Sequence, residues 1–453
     1  MPREKTCGTR CFVRSFLLYW LPRTASGMTG RFSLPPGAGM NEEFDEYLEE
    51  NDDTLELAQM SLDRGDDSGA LEMAENCLEN HPLRVDALNL CAVAAFNLGD
   101  EVKALGLFQK ALRLEPRNGS IHHNYGVLLE RIGEYQEALS HFRRCLDLQP
   151  DFPEAYLNLG NVLDGLGRTE ESLEWYDKAL KRMPEAIDPL YNKGYALNHL
   201  GRFEEALDVF TRALGIRSND ASCLNGKGYA LSGLGRDEEA LKDYDRAIAR
   251  EPDTAIYRYN RGLSYYRLGR HQAALDDLKV VRKLDPGFFE AWVETASLLT
   301  DLGHFGEALV VLEEAERLEP GSPEPPFYRG VILEKQGDAA GALAALDESL
   351  GRDPDAVHAL NNKGNVLMDM GRVDEALVCF DAVLEKDSRY SLAHYNRACA
   401  MALKGQVREA VRSLEEAATL DPQFLEDADR DPDFDPIRNR PSFRRLFGSN
   451  KAV

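Results

Sequence analysis

The chain has 453 residues, a formal net charge of −25, and a composition that is 43% hydrophobic and 29% charged. So acidic a chain repels phosphate backbones, which argues against nucleic acid as a partner and toward neutral or basic ones. No apolar run approaches the roughly 20 residues needed to cross a bilayer, so membrane insertion is not expected.

Residues 1–39 differ in composition from the rest of the chain. They carry six Lys/Arg against one acidic residue, leaving about −30 for the chain from Met40 onward. The stretch Phe16 to Leu21 (FLLYWL) is apolar but shorter than an ordinary signal-peptide core, and its basic leader is unusually long. The segment reads as a disordered or mis-assigned leader, with Met28 and Met40 as alternative starts; a weak export signal is the competing reading. Residues 40–50 come next as an acidic N-terminal cap. There Phe44, Tyr47 and Leu48 fall on one helical face at i, i+3, i+4 spacing, and the other face is acidic.

From position 65 to position 405 a glycine returns every 34 residues, eleven times, without an insertion or deletion. A fixed period of that length predicts a stack of like supersecondary units and leaves little chain for a catalytic domain. With the glycine counted as position 15, the units begin at 51, 85, 119, 153, 187, 221, 255, 289, 323, 357 and 391. Position 8 is Gly or Ala throughout, position 20 is Ala except for Ser172, and position 32 is Pro except for Ser218 and Ser388. Position 24 is usually large and apolar, as in Phe108, Phe142, Tyr176, Phe210, Tyr244 and Phe380.

Each recurring residue has a physical reason. Glycine at 15 can adopt the left-handed conformation that closes a first helix. Acidic residues after it, such as Asp237, Glu238 and Glu239, suit the positive N-terminus of a second helix, and proline at 32 cannot continue that helix. Small residues at 8 and 20 let two antiparallel helices approach, with the ring at 24 filling the space beside them. Pro323, Pro325 and Pro326 are expected to delay the first helix of their unit and loosen that junction, and Ala74 makes the first unit the least typical.

Segments such as AYLNLGNVLDGLGRTEESLEWYDKALKRMP and LYNKGYALNHLGRFEEALDVFTRALGI resemble the tetratricopeptide repeat nearly throughout. The resemblance covers residues 51–424 and implies an all-α fold, a right-handed α-solenoid superhelix of eleven helix-turn-helix repeats. Residues 425–453 are expected to form a C-terminal capping segment, similar to those that close many prokaryotic arrays. Phe424, Leu425, Phe434, Ile437, Phe443, Leu446 and Phe447 supply the apolar surface for it. Asp429, Asp431, Asp433 and Asp435 alternate as in a calcium loop, but Phe434 and Arg440 stand where such a loop needs glycine and glutamate, so no metal is expected there.

Chemistry is sparse elsewhere. No phosphate loop, HExxH or GxSxG pattern occurs, and adjacent His122 and His123 must point in different directions on a helix. No catalytic residue, metal or cofactor is expected. The eight cysteines form no CxxC pair, and Cys77 and Cys145 take positions held elsewhere by alanine. That pattern fits free thiols in a cytoplasmic protein.

In the resembling family the first helix of each unit lines a concave surface, with positions 2, 5, 6, 9, 12 and 13 facing bound segments. Position 6 here holds Asn124, Asn158, Asn192, Asn260, Asn362 and Asn396, and Asn161 adds another amide at position 9. Such a ladder can pair with a peptide backbone of any sequence or brace neighbouring helices; both readings stand. Tyr191, Tyr195, Tyr229 and Tyr259 concentrate in the units beginning at 187, 221 and 255, where they offer contact area or interhelical packing. No unit has Lys at position 5, so the family's clamp for C-terminal carboxylates is not expected. The resulting expectation is a non-catalytic scaffold or adaptor that binds peptide segments in its groove. The alternative is a targeting or regulatory subunit of an enzyme supplied in trans.

Overall fold

The structure, a computed structural model, describes residues 45–448, with side chains from Thr54 to Phe447. The leader and Phe44 lie outside the described residues, as do the side chains of Tyr47 and Leu48. Among the described residues every regular element is helical.

The 34-residue period becomes a helix pair. First helices generally span positions 1–13 and second helices positions 17–30, as in Gly119–Arg131 with Tyr135–Leu148. All eleven position-15 glycines take φ between 71° and 85°, the left-handed turn a side chain would resist. Position 16 starts seven of the second helices in one of two ways. Asp66, Asp100 and Asp338 accept the backbone N–H three residues on, at 2.9–3.1 Å. Arg168, Arg202, Arg236 and Arg372 instead pair with the glutamate three residues later, at 2.6–2.7 Å.

The N-terminal residues 45–50 extend the first helix without a break, giving Asp45–Asp63. The proline-rich unit begins its helix at Glu324, one residue later than its neighbours, and that helix has 12 residues. Its junction is nevertheless tied: Arg352 pairs with Glu316 at 2.6 Å and donates to the Ser322 carbonyl at 2.7 Å. Pro325 and Pro326 are buried.

The chain divides into two compact units after Ser264. In the first, the position-24 rings Phe108, Phe142, Tyr176, Phe210 and Tyr244 are all at most 1% exposed and sit beside the small residues at position 8. In the second, Leu278, Leu312, Leu346, Phe380 and Leu414 fill the same position. The second unit ends with the helix Gln423–Arg430, a short 3₁₀ turn at Pro432–Phe434 and the helix Pro441–Gly448. Phe434, Ile437 and Phe443 bury themselves there against Tyr395, Cys399, Met401, Leu414 and Ala417.

Candidate peptide-binding groove

The asparagines at position 6 form directed bridges between successive first helices. Asn124 Nδ2 donates to Asn89 Oδ1 at 3.1 Å, Asn260 to Asn225 at 3.0 Å and Asn396 to Asn361 at 3.0 Å. In each case the acceptor is position 5 of the preceding unit. Asn158 Nδ2 reaches His123 Nε2, at that same position 5, at 3.0 Å, and His123 Nδ1 lies 3.2 Å from Asn124 Oδ1. These contacts assign the proton to Nδ1, so a relay runs from Asn158 through His123 and Asn124 to Asn89. Asn192 departs from the rule because position 5 of the unit before it is Leu157; it donates instead to Asn161 Oδ1 at 2.7 Å. Asn362, preceded by Phe327 at position 5, makes no side-chain hydrogen bond among the described residues. The acceptors Asn89, His123, Asn225 and Asn361 escape a reading that takes position 6 alone; their spacing of 35 residues from the donors is the signal that finds them.

The tyrosines separate by burial. Tyr229 and Tyr259 are buried, at 6% and 7% exposure, while Tyr191 and Tyr195 are half-buried. Tyr191 meets Phe210 edge-on with centroids 6.2 Å apart. Burial, with Asp164, Tyr191 and Tyr229 nearby, pushes the Tyr195 hydroxyl well above the usual phenol range. Three of the four, Tyr191, Tyr195 and Tyr229, therefore form one cluster.

Cations at position 7 are committed elsewhere. Lys193, Arg261, Lys363 and Arg397 pair with Asp177, Asp245, Asp347 and Asp381 on the second helix of the preceding unit, at 2.6–2.7 Å. Lys227 pairs with Asp243 at 2.9 Å within its own unit.

Two carboxyls at position 12, not singled out in the sequence, sit on the same face. Glu130 accepts a hydrogen bond from the Asn161 side chain and is pushed up to about 8 by desolvation. Asp164 is likewise raised by desolvation, opposed by a hydrogen bond from Thr169 and by nearby His199. His122 and His123 do face different neighbours: His122 Nδ1 lies 2.9 Å from His141 Nδ1. At the C-terminal end Asp431 accepts from the Tyr395 hydroxyl at 2.8 Å and from the Asp433 N–H at 2.9 Å. Cys399 and Asp433 stand near it, in the one group of three metal-ligating side chains found among the described residues. With both Asp431 oxygens engaged, the cluster works as a latch between the last helix pair and the 3₁₀ turn.

His123 carries a pH prediction. It is 4% exposed, and burial lowers it to about 4 from 6.5. Between those values the unfolded chain binds a proton that the folded chain refuses, so stability falls as pH drops from 6.5 toward 4. His123→Asn, which places here the residue found at position 5 in Asn89, Asn225 and Asn361, keeps a donor and an acceptor. Urea unfolding at pH 7 and pH 5 should give the variant a loss smaller than wild type's by about 2 kcal/mol. Equal losses would assign the acid sensitivity to other groups.

No helix among the described residues is long and apolar enough to cross a membrane. Comparison with curated protein sequences gives no match. Among solved structures, yeast Tom70 is similar over 90% of this chain and 100% of its own, at 16% identity and a TM-score of 0.49. YrrB, described as a TPR protein with an unusual peptide-binding site, is similar over 41% of this chain and 95% of its own, at 27% identity and a TM-score of 0.35. A tetratricopeptide repeat protein from Parabacteroides merdae covers 52% of this chain and 94% of its own, at 19% identity and a TM-score of 0.43. One family profile described as tetratricopeptide repeat matches residues 55–119, 126–189, 225–287 and 293–357, more than half of the chain. Three others of the same description match 333–402, 107–140 and 187–220. The chain therefore belongs to the tetratricopeptide repeat family, whose repeats support protein–protein interaction scaffolds on a typically non-catalytic fold.

Proposed function

We propose that the protein is a non-catalytic scaffold that captures extended peptide segments on the first-helix face of its first compact unit. The observation that carries this reading is the half-buried pair Tyr191 and Tyr195, on the helix that also carries Asn192, whose amide bonds to Asn161; Asn158 stands on the same helix as Asn161. Tyrosine gives large contact area at modest entropy cost, as protein-binding surfaces favour. The asparagines serve both roles at once: one N–H braces the neighbouring helix, and the other polar atoms of the half-buried amides are left to pair with a ligand backbone. Asn124, Asn260 and Asn396 brace their neighbours in the same way along the chain, and Asn362 stands at the same position without a bracing bond among the described residues. The partners are neutral or basic protein segments, and the protein acts in the cytoplasm.

The test is capture of partners by variants that remain folded. Replacing Tyr191 and Tyr195 by serine should weaken capture by roughly 1–2 kcal/mol for each tyrosine that is a hot spot. Asn158→Ala should cost less, about 0.5–1.5 kcal/mol. Glu171 and Glu205, exposed on second helices and paired with Arg168 and Arg202, supply the controls. Wild-type binding by the tyrosine variant, together with failure of Glu171 or Glu205 variants, would move the site to the other face.

A further inference from the structure

We infer that the face formed by the first helices Gly119–Arg131, Pro153–Gly165 and Ile187–His199 holds a pocket for one cationic side chain, a lysine ammonium or arginine guanidinium, carried by the bound segment. This rests on the groove reading and names the chemistry of its ligand.

The hydrogen bonds on this face have a direction. Asn192 Nδ2 donates to Asn161 Oδ1 at 2.7 Å, and the Asn161 side chain donates to the Glu130 carboxyl. The Tyr176 hydroxyl adds a second donor to Asn161 Oδ1 at 3.3 Å. Both ends of the chain are therefore acceptors. At one end stands Glu130; at the other, Asn192 Oδ1 is buried on a side chain only 4% exposed and has no hydrogen-bond donor. Leaving a buried acceptor unmatched is costly, so the arrangement favours a ligand rich in N–H.

The charges point the same way. Glu130 and Asp164 are both at position 12, one unit apart and half-buried, yet neither has an ion-pair partner among the described residues. Carboxylates on the second helices behave differently: Glu171, Glu205, Glu239 and Glu375 each hold an arginine of their own. Arg131, the cation next to Glu130 in sequence, is committed to the Phe96 ring at 4.8 Å. Desolvation raises both groove carboxyls above the usual range, the sign expected of acids still lacking a counter-charge. Tyr195 stands near Asp164, with Tyr191 near Tyr195, and such rings suit the methylene stem or the charged head of a long basic side chain.

The test uses the full chain and an array of short peptides with one fixed central residue and mixed flanks. Peptides centred on lysine or arginine should bind roughly tenfold more tightly than those centred on norleucine. Glu130→Gln combined with Asp164→Asn, both close in shape to the originals, should abolish that preference. No basic preference in wild type, or one that survives the double substitution, overturns the proposal. Were the double variant misfolded by circular dichroism, lysine-centred and acetyl-lysine-centred peptides compared on wild type decide the matter, and equal binding overturns it. Loss of all peptide signal in the Tyr191 and Tyr195 variant, with no basic preference in wild type, would sink the cationic pocket and spare the groove. Wild-type peptide binding by the tyrosine variant would remove the groove itself.

Discussion

Ending the chain at Pro422 should leave a protein that aggregates and melts at lower temperature, with total helix content almost unchanged. The removed segment contributes Phe434 at 0%, Ile437 at 1% and Phe443 at 1% exposure to the terminal core. Their loss uncovers Tyr395, Cys399, Met401 and Leu414, an apolar face that nothing beyond Pro422 would then cover. The segment is held by geometry as well as by apolar contact. Arg438 donates to the carbonyl oxygens of Asp429 and Asp431, and Asp431 accepts from the Tyr395 hydroxyl. Phe434 stacks on Phe443 at 5.4 Å, so the two rings fall together if either is removed. In the complete chain Phe434→Ala should cost roughly 3–5 kcal/mol locally, because a fully buried ring is replaced by a cavity. Repeat arrays lose their ends first, so hydrogen exchange should accelerate in Ser391–Leu403 and Val407–Leu420 well before the rest. A truncated chain that stays monodisperse with an unchanged melting temperature would show that these aromatics are dispensable.

Gly160→Ala should destabilise the protein, although alanine is the better helix former by about 1 kcal/mol. A Cβ at Gly160 would sit 2.4 Å from the Tyr176 ring. That ring is 1% exposed and its hydroxyl is bonded to Asn161, so it has nowhere to retreat. Overpacking of this kind costs about 1–3 kcal/mol and outweighs the propensity gain. Gly106→Ala supplies the opposite sign. It lies inside Glu101–Leu114 with nothing within 4 Å of the added carbon, so it should gain roughly 0.5–1 kcal/mol. Combining Gly160→Ala with Tyr176→Leu should recover part of the loss, since the clash and its relief share one space. Thermal melts of the three variants decide this, and a stabilised Gly160→Ala protein would mean that the helices can separate without cost.

Much of the architecture was legible in the sequence because its determinants are local and repeated. The left-handed turn at position 15, the small residue at 8, the large apolar side chain at 24 and the proline at 32 each act within one helix pair, and nearly every unit obeys them. The aromatic content of the segment after Pro422 likewise signalled burial, since an exposed array end has nothing else to cover it. The candidate site was legible only in outline. Position 6 was visible as an asparagine ladder, but whether an amide braces a helix depends on what stands 35 residues earlier. Asn89, His123, Asn225 and Asn361 accept its proton, Leu157 sends Asn192 to Asn161, and Asn362, preceded by Phe327, has no side-chain hydrogen bond among the described residues.

Burial, too, was settled by packing rather than by residue type. Tyr229 and Tyr259 share a periodic logic with Tyr191 and Tyr195, yet neighbouring helices enclose the first two and leave the second two half open. Glu130 and Asp164 look in the sequence like the many solvated carboxylates of an acidic chain. Only the tertiary structure withdraws them from water beside amides and rings, because a side chain's solvation is fixed by residues a whole unit away. The period of the sequence by itself determined a stack of helix pairs; which of its polar side chains remain for a partner was decided by contacts between units.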